Sequence, residues 1–272
     1  MFDSFFLIAG PCVLEDDALN LHVGETLARL AEELSLPIIY KASFDKANRS
    51  KAGAARGPGL HEGLRQLETV RSVTGLPVLT DVHEAEQCAA AAQVCDVLQI
   101  PAFLSRQTDL LLAAASTGRA LNIKKGQWMA PEEMAGAVNK ARAAHAAAAT
   151  ARPDIAVTER GTFFGYGDLI VDMRSFARMR AATGCPVVFD GTHSVQQPGR
   201  AAGASGGTPE FIPTLVRAAA AAGIDGLFLE THPDPAAAPS DSTNMLPLRG
   251  LRELLEVVLA VREAGARTGV GA

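Results

Sequence analysis

A (β/α)8 barrel is the fold class this sequence predicts, from three observations. Eight apolar runs, FFLIAG, LPIIYK, LPVLTD, DVLQI, RALNIK, DIAVTE, CPVVFD and DGLFLE, recur along 272 residues, with room between consecutive runs for a loop and a helix. A strand, a helix and another strand in repeated succession imply parallel pairing, and eight such units close on themselves. Each run also ends at or near a polar or charged side chain: Cys12, Lys41, Asp81, Gln99, Lys124, Arg160, Asp190 with His193, and Glu230. The loops after the strands build the site of such a barrel, so these residues are candidates for chemistry.

The elements follow in order. A first helix is predicted over 16–34, where Leu21, Leu27, Leu30, Ala31 and Leu34 form an apolar stripe opposite Glu25, Arg29, Glu32 and Glu33. Strand two follows at once. Further helices are predicted over 61–73, 84–92, 106–116, 131–149, 172–182, 209–222 and 251–263. Pro131 and Pro209 suit first-turn positions, where a missing N–H costs nothing. The Ala-rich stretch 141–152 has high helix propensity and offers nothing chemical. Two connections, 191–207 and 231–247, are long and rich in Gly, Pro and Ser, so they are expected to be irregular lids or ligand carriers on one face.

The even spacing leaves no break at which to divide the chain, so residues 1–272 are expected to form one barrel domain. With 25 basic and 30 acidic side chains, the surface as a whole is not suited to nucleic acid or anionic lipid. No charged leader and no run near the ~20 apolar residues of a membrane span are present, which places the protein in the cytoplasm as an expectation. Cys12, Cys88, Cys95 and Cys185 lack paired metal-ribbon spacing and are expected to be reduced thiols. The segment KASFDKANRSKAGAARGPGL carries five cations (Lys41, Lys46, Arg49, Lys51, Arg56) against Asp45, a net +4 in one loop. A small polyanionic ligand would explain that charge.

The segments IAGPCVLE, KASFDKANRS, RGPGL, TDVHE, QIPAFLSRQTDLL, NIKKGQ, TERGTFFGYGDLIVDMRSF, PVVFDGTHSVQQPG and FLETHPDP appear in this order from end to end. Together they resemble the 3-deoxy-D-manno-octulosonate 8-phosphate synthases. The resemblance implies condensation of phosphoenolpyruvate with D-arabinose 5-phosphate, release of inorganic phosphate, and a place in lipopolysaccharide synthesis. It assigns Lys41, Lys46 and Ser43 to the phosphoenolpyruvate carboxylate, Lys124 and Arg160 to its phosphate, and Gln99 to the pocket wall. Asn48, Arg49 and Ser50 would reach the sugar phosphate, and Arg106 would cross to a neighbouring site in a homo-oligomer, a tetramer. Lys46, Asn48, His193 and Asp81 are the candidates for catalysis, with Asp81 favoured as an orienter of lysines rather than a proton carrier. Such chemistry places several anions in one pocket, which the strand-end cations would suit without any family name.

The same resemblance turns on Cys12. Members with cysteine at this position need a divalent cation, and the matching ligands here are Cys12, His193, Glu230 and Asp241. One thiolate, one imidazole and two carboxylates suit Zn²⁺, Fe²⁺ or Mn²⁺. The chain departs from the family over Lys51-Ala52-Gly53-Ala54-Ala55 and at Thr208-Pro209, on the sugar-phosphate side. Three other readings stand beside this one: a heptulosonate synthase using erythrose 4-phosphate, a Schiff-base aldolase with Lys124 or Lys41 as nucleophile, and a non-enzymatic phosphosugar-binding barrel. His83, Glu84 and Asp190 receive no assigned role, while His232 and Asp234, beside a ligand, could fix their loop and are given no catalytic part.

Overall fold

A computed structural model describes residues 1–49, 53–148, 154–201 and 204–268; Ser50 and Lys51 of the basic loop lie outside the described residues. Eight parallel strands form the barrel: β1 (Phe6–Val13), β2 (Ile38–Ser43), β3 (Val78–Asp81), β4 (Val97–Ile100), β5 (Ala120–Lys124), β6 (Ile155–Glu159), β7 (Val187–Asp190) and β8 (Gly226–His232). Neighbours pair in chain order, and β8 returns to β1 with Phe6 opposite Gly226 and Gly10 opposite Glu230, so the sheet is closed. Around it run α1 (Asp17–Leu34), α2 (Leu60–Thr74), α3 (Ala85–Val94), α4 (Thr108–Ser116), α5 (Met134–Ala148), α6 (Ser175–Thr183), α7 (Ile212–Ala221) and α8 (Leu251–Thr268). The barrel expected from the apolar runs is the barrel observed.

Local chemistry sets the helix ends. Asp16 caps α1 by accepting the Leu19 N–H at 2.9 Å, and Gln87 Oε1 reaches back to accept the Glu84 N–H at 3.3 Å at the start of α3. Gly75 and Gly184 close α2 and α6 in the left-handed conformation. Pro131 and Pro209 stand in single 3-10 turns, Pro131–Glu133 and Pro209–Phe211, so α5 and α7 begin about a turn later than predicted.

Two connections differ from expectation. Residues 191–207 are not irregular throughout, because Gln196 pairs with Gly207 and Gln197 with Gly206 in an antiparallel hairpin. A second hairpin, Thr162–Gly165 with Asp168–Ile170, follows β6 where only a loop was expected. Tyr166 and Gly167 at its turn both have positive φ, 55° and 92°, as two-residue hairpin turns demand. A tyrosine there hides the usual Asn-Gly signal.

Strand parity divides the interior. Residues facing the helices, among them Leu7, Ile38, Tyr40, Leu98, Ile123, Val157 and Phe189, belong to the large apolar shell. Those facing the barrel axis are apolar only in its lower half: Phe2, Phe6, Ile8, Ile39, Leu79, Val97, Ala156, Val188 and Phe228 form a separate plug. Two residues further along most of these strands, the same face turns polar: Lys41, Asp81, Gln99, Thr158, Asp190 and Glu230 are all buried there. A dry plug below a charged layer confines the chemistry to one end.

The top of β1 depends on Gly10. Pairing with β2 shifts register between Ala9 and Cys12, and a Cβ on Gly10 would lie 1.9 Å from the Lys41 carbonyl oxygen. The Lys41 carbonyl and the Gly10 Cα that would bear the Cβ both belong to barrel backbone, so neither can move cheaply. Gly10→Ala is expected to lose about 3 kcal/mol or more, read as a lowered midpoint of urea unfolding. An unchanged midpoint would mean that the two strands do not approach as described.

Candidate active site

The irregular top of β1 brings Cys12 to the barrel mouth with φ 76°, and the connection after β8 brings Asp241 with φ 51°. Both are strained for L residues, and strain of this kind gathers at functional sites. Cys12 Sγ donates to Asp241 Oδ2 at 3.2 Å, and donor atoms of Cys12, Glu230 and Asp241 all lie within 4.8 Å of one another. His193 Nε2 stands 3.7 Å from Glu230 Oε2 and 4.0 Å from Asp241 Oδ2. Its other nitrogen, Nδ1, is 2.8 Å from Asp190 Oδ2, which fixes the ring and directs Nε2 at the cluster. Three of the four residues expected as ligands, Cys12, Glu230 and Asp241, thus form one donor cluster, and His193 stands at its edge beside the two carboxylates.

This donor set fits a cation. Glu230 Oε2 is buried and has no hydrogen-bond partner. Burial and the neighbouring Glu230 carboxylate push the Cys12 thiol well above its ordinary value, so the thiolate needs added positive charge. A bound dication supplies that charge and inverts the local balance. The Cys/His/Glu/Asp combination suits a transition metal.

Four cations share the mouth, and their surroundings separate them into two pairs. Lys41 Nζ donates to Glu230 Oε1 at 2.8 Å and to the Cys12 carbonyl at 2.9 Å. Lys46 Nζ lies 3.9 Å from Glu230 Oε1 and 4.0 Å from Asp241 Oδ2. Burial disfavours both charges, yet the acids around them outweigh it and hold both ammonium groups above the ordinary lysine value. Lys124 and Arg160 are the opposite case. Lys124 pairs with Asp190 and sits 3.4 Å from the centroid of the Phe228 ring, while Arg160 Nη2 donates to Gln196 Oε1 at 2.7 Å. For each, burial outweighs the nearby acids and lowers the pKa. Arg160 Nη1 is buried without a partner. Arg160 thus keeps one guanidinium nitrogen that no acceptor meets, whereas Lys124 is already paired with Asp190.

Asp81 joins β3 to its neighbours, accepting from Ser43 on β2 and from Gln99 on β4. The relay continues as Asn122 Nδ2 donates to Gln99 Oε1 at 2.8 Å and Thr158 Oγ1 to Asn122 Oδ1 at 2.6 Å. Asn122 and Thr158 were not singled out from sequence. Counting back two residues from Lys124 and Arg160, on the same strand face, would have found them.

Burial alone would raise the Asp81 pKa, but Lys41, Lys46, His83 and the Ser43 hydroxyl bring it well below the usual carboxylate range. A depressed folded pKa contributes stability that is present above the unfolded value, about 3.9, and lost as pH falls through the lower folded value. Thermal midpoints are expected to drop as pH is taken from 5 towards 3, and Asp81→Asn should flatten that slope. An identical slope in the variant would remove Asp81 from the account.

Other predicted residues stand apart. Asn48 is exposed on the loop after β2, and Arg106 is exposed before α4, its carbonyl accepting from Lys140. Arg49 donates to Ser240 Oγ at 2.8 Å and to the Ala55 carbonyl, tying its loop to the one that carries Asp241. The basic loop is less of a free cationic patch than its net charge implied, because Lys41 and Lys46 face acids and Arg56 pairs with Asp45. All four cysteines are buried and outside any disulfide, and burial pushes Cys88 up to about 11 and Cys95 to about 12. Also unforeseen are the buried Lys125 and Glu159, 3.4 Å apart, whereas His232, expected to fix its loop, has Nε2 3.0 Å from Glu15 Oε1 and accepts the Asp234 N–H at Nδ1.

A closed parallel barrel whose mouth gathers lysines, an arginine and a thiol-bearing donor cluster defines a class of enzyme that handles anionic, phosphorylated substrates. The chain belongs to the DAHP synthetase I family, whose model matches residues 3–266. Its curated relatives are narrower in name. It is 54% identical over 254 residues to a 2-dehydro-3-deoxyphosphooctonate aldolase of Bradyrhizobium diazoefficiens, covering 93% of this chain and 88% of that protein. Proteins of the same name from Rhodopseudomonas palustris and Syntrophotalea carbinolica are each 54% identical as well. The first match covers 96% of this chain and 91% of that protein, the second 94% and 90%.

Proposed function

We propose that this protein condenses phosphoenolpyruvate with D-arabinose 5-phosphate and water, giving 3-deoxy-D-manno-octulosonate 8-phosphate and inorganic phosphate for lipopolysaccharide synthesis. The names of the relatives support this reading. The observation that carries it is at Arg160, whose guanidinium is buried at the barrel mouth one strand over from the buried Lys124 and whose Nη1 lacks a partner. A phosphate dianion is the ligand that meets such a donor.

In this reading Lys124 and Arg160 hold the phosphate of phosphoenolpyruvate, Lys41, Lys46 and Ser43 its carboxylate, and Gln99 the pocket wall. Asn48, Arg49 and Ser50 take the sugar, and Arg106 serves a neighbouring copy in a homotetramer. Carbon C3 of the enol attacks the aldehyde, positive charge develops at C2, water adds there, and the hemiketal phosphate collapses with loss of phosphate. The cations hold two mutually repelling phosphates within reach, a positioning contribution. Lys46 Nζ is the donor offered to the aldehyde oxygen beside Asn48, and ionised Asp81 keeps Ser43 and Gln99 in place. Cys12, His193, Glu230 and Asp241 would hold the Zn²⁺, Fe²⁺ or Mn²⁺ ion; it would polarise the aldehyde or lower the pKa of the added water. One domain over residues 1–272, working in the cytoplasm without nucleic acid or membrane, completes the proposal. No helix among the described residues is long and apolar enough to cross a membrane.

One assay tests it: phosphate release from phosphoenolpyruvate with arabinose 5-phosphate beside erythrose 4-phosphate, each with and without chelator. Release with the five-carbon sugar is the expected result. Release with erythrose 4-phosphate alone would transfer the chain to heptulosonate synthesis, and a borohydride-trapped adduct would favour the Schiff-base reading.

A further inference from the structure

Lys125 and Glu159 take no part in the mechanism above, yet both are buried, and Lys125 has no exposed surface. Removing two charges from water costs several kcal/mol, and replacing such a pair by apolar residues is often neutral or stabilising. Their presence therefore calls for another reason. Lys125 follows Lys124 directly and Glu159 precedes Arg160 directly, on the two adjacent units whose cations are assigned to the phosphate. Parity turns Lys124 and Arg160 inward and their neighbours away from the axis.

We propose that Lys125 and Glu159 are positioning residues that hold Lys124 and Arg160 at the spacing a phosphate requires; this rests on the phosphoenolpyruvate reading. Glu159 Oε1 accepts the Arg160 N–H at 2.9 Å and the Gly161 N–H at 2.7 Å, and lies 3.4 Å from Lys125 Nζ. One oxygen thereby fixes the turn from which the Arg160 side chain leaves. Lys125 Nζ also reaches the Gly126 carbonyl at 3.3 Å, the Met129 carbonyl at 3.4 Å and Thr162 Oγ1 at 3.2 Å. The ammonium thus ties the turn after β5 to the hairpin after β6 from behind the pocket. Two backbone bonds run alongside, Lys125 N–H to the Thr158 carbonyl at 2.8 Å and Phe163 N–H to the Gln127 carbonyl at 2.9 Å. A side chain on Gly161, at φ 92°, would meet Leu169 Cβ at 2.8 Å, so that turn has little room to settle elsewhere.

The test compares Lys125→Met, Glu159→Gln and Thr162→Val with the parent. KM for phosphoenolpyruvate is expected to rise roughly tenfold in the first two, and inhibition by inorganic phosphate to weaken in step. KM for arabinose 5-phosphate and kcat should stay near parental values, because the sugar contacts lie on other loops. A merely structural pair would lower the thermal midpoint and shift both KM values together, and that result would overturn the proposal. So would folded variants with parental phosphoenolpyruvate KM and phosphate inhibition. Thr162→Val removes a single acceptor from a half-buried position, and roughly a threefold rise is expected there; it decides the matter if the charge variants do not fold. A parent that turns over no phosphoenolpyruvate would sink the functional reading by itself. Calorimetry of inorganic phosphate with parent and Thr162→Val then still tests the positioning, with equal affinities as the overturning result.

Discussion

Replacing Arg160 by methionine is expected to leave the barrel at least as stable as the parent while phosphoenolpyruvate binding weakens about a hundredfold, near 3 kcal/mol of charge-assisted hydrogen bonding. The guanidinium is buried, its pKa is lowered by that burial, and Nη1 has no partner. An unsatisfied buried donor costs stability, so removing it relieves the fold and disables the site. Lys124→Met is the informative contrast. That change leaves the fully buried Asp190 carboxylate hydrogen-bonded by His193 alone, with the Arg160 charge further off, and about 3–5 kcal/mol of stability should go with the binding. Chemical denaturation alongside the KM for phosphoenolpyruvate separates the two. If Arg160→Met proved as destabilising as Lys124→Met, the guanidinium would be a structural ion rather than a waiting ligand group.

Loss of metal is the second large effect. Cys12→Ser is expected to cut both bound metal per chain and turnover, the latter on the order of a thousandfold, since Lewis-acid assistance amounts to several kcal/mol. The cluster supplies the reason: the buried thiol keeps its proton without a cation, and Glu230 Oε2 is unpartnered. A readout independent of turnover is the thiolate-to-cobalt charge-transfer absorption of Co²⁺-loaded protein, which should vanish in Cys12→Ser. Full activity of Cys12→Ala in metal-free buffer, or of the parent under thorough chelation, would end the metal assignment. Cys12→Asn that worked without metal would strengthen it.

Much of the site was legible before the fold because a parallel barrel exposes its chemistry at predictable places. The apolar runs located Lys41, Asp81, Gln99, Lys124, Arg160, Asp190 and Glu230, and each lies buried at the top of its strand. Asp241 came only from the family resemblance, and its meeting with Cys12 depends on a strained backbone at both residues. Asp190 had no assigned role, yet it links His193 to Lys124, two groups assigned to different ligands. Asn122, Thr158, Lys125 and Glu159 went unnoticed because each is one or two places from a more conspicuous residue.

The sequence by itself determined the order of the eight barrel strands and their helices, the end of the barrel that carries charge, and most of the charged side chains that reach it. Those follow from periodicity and residue type, which act locally. Only the tertiary structure decided which charges are spent on one another. Lys46 lies close to Glu230 and Asp241, 184 and 195 residues away, whereas Arg160 keeps a nitrogen without a partner. Charge balance depends on distance and burial in three dimensions, and a net +4 counted along a loop contains neither.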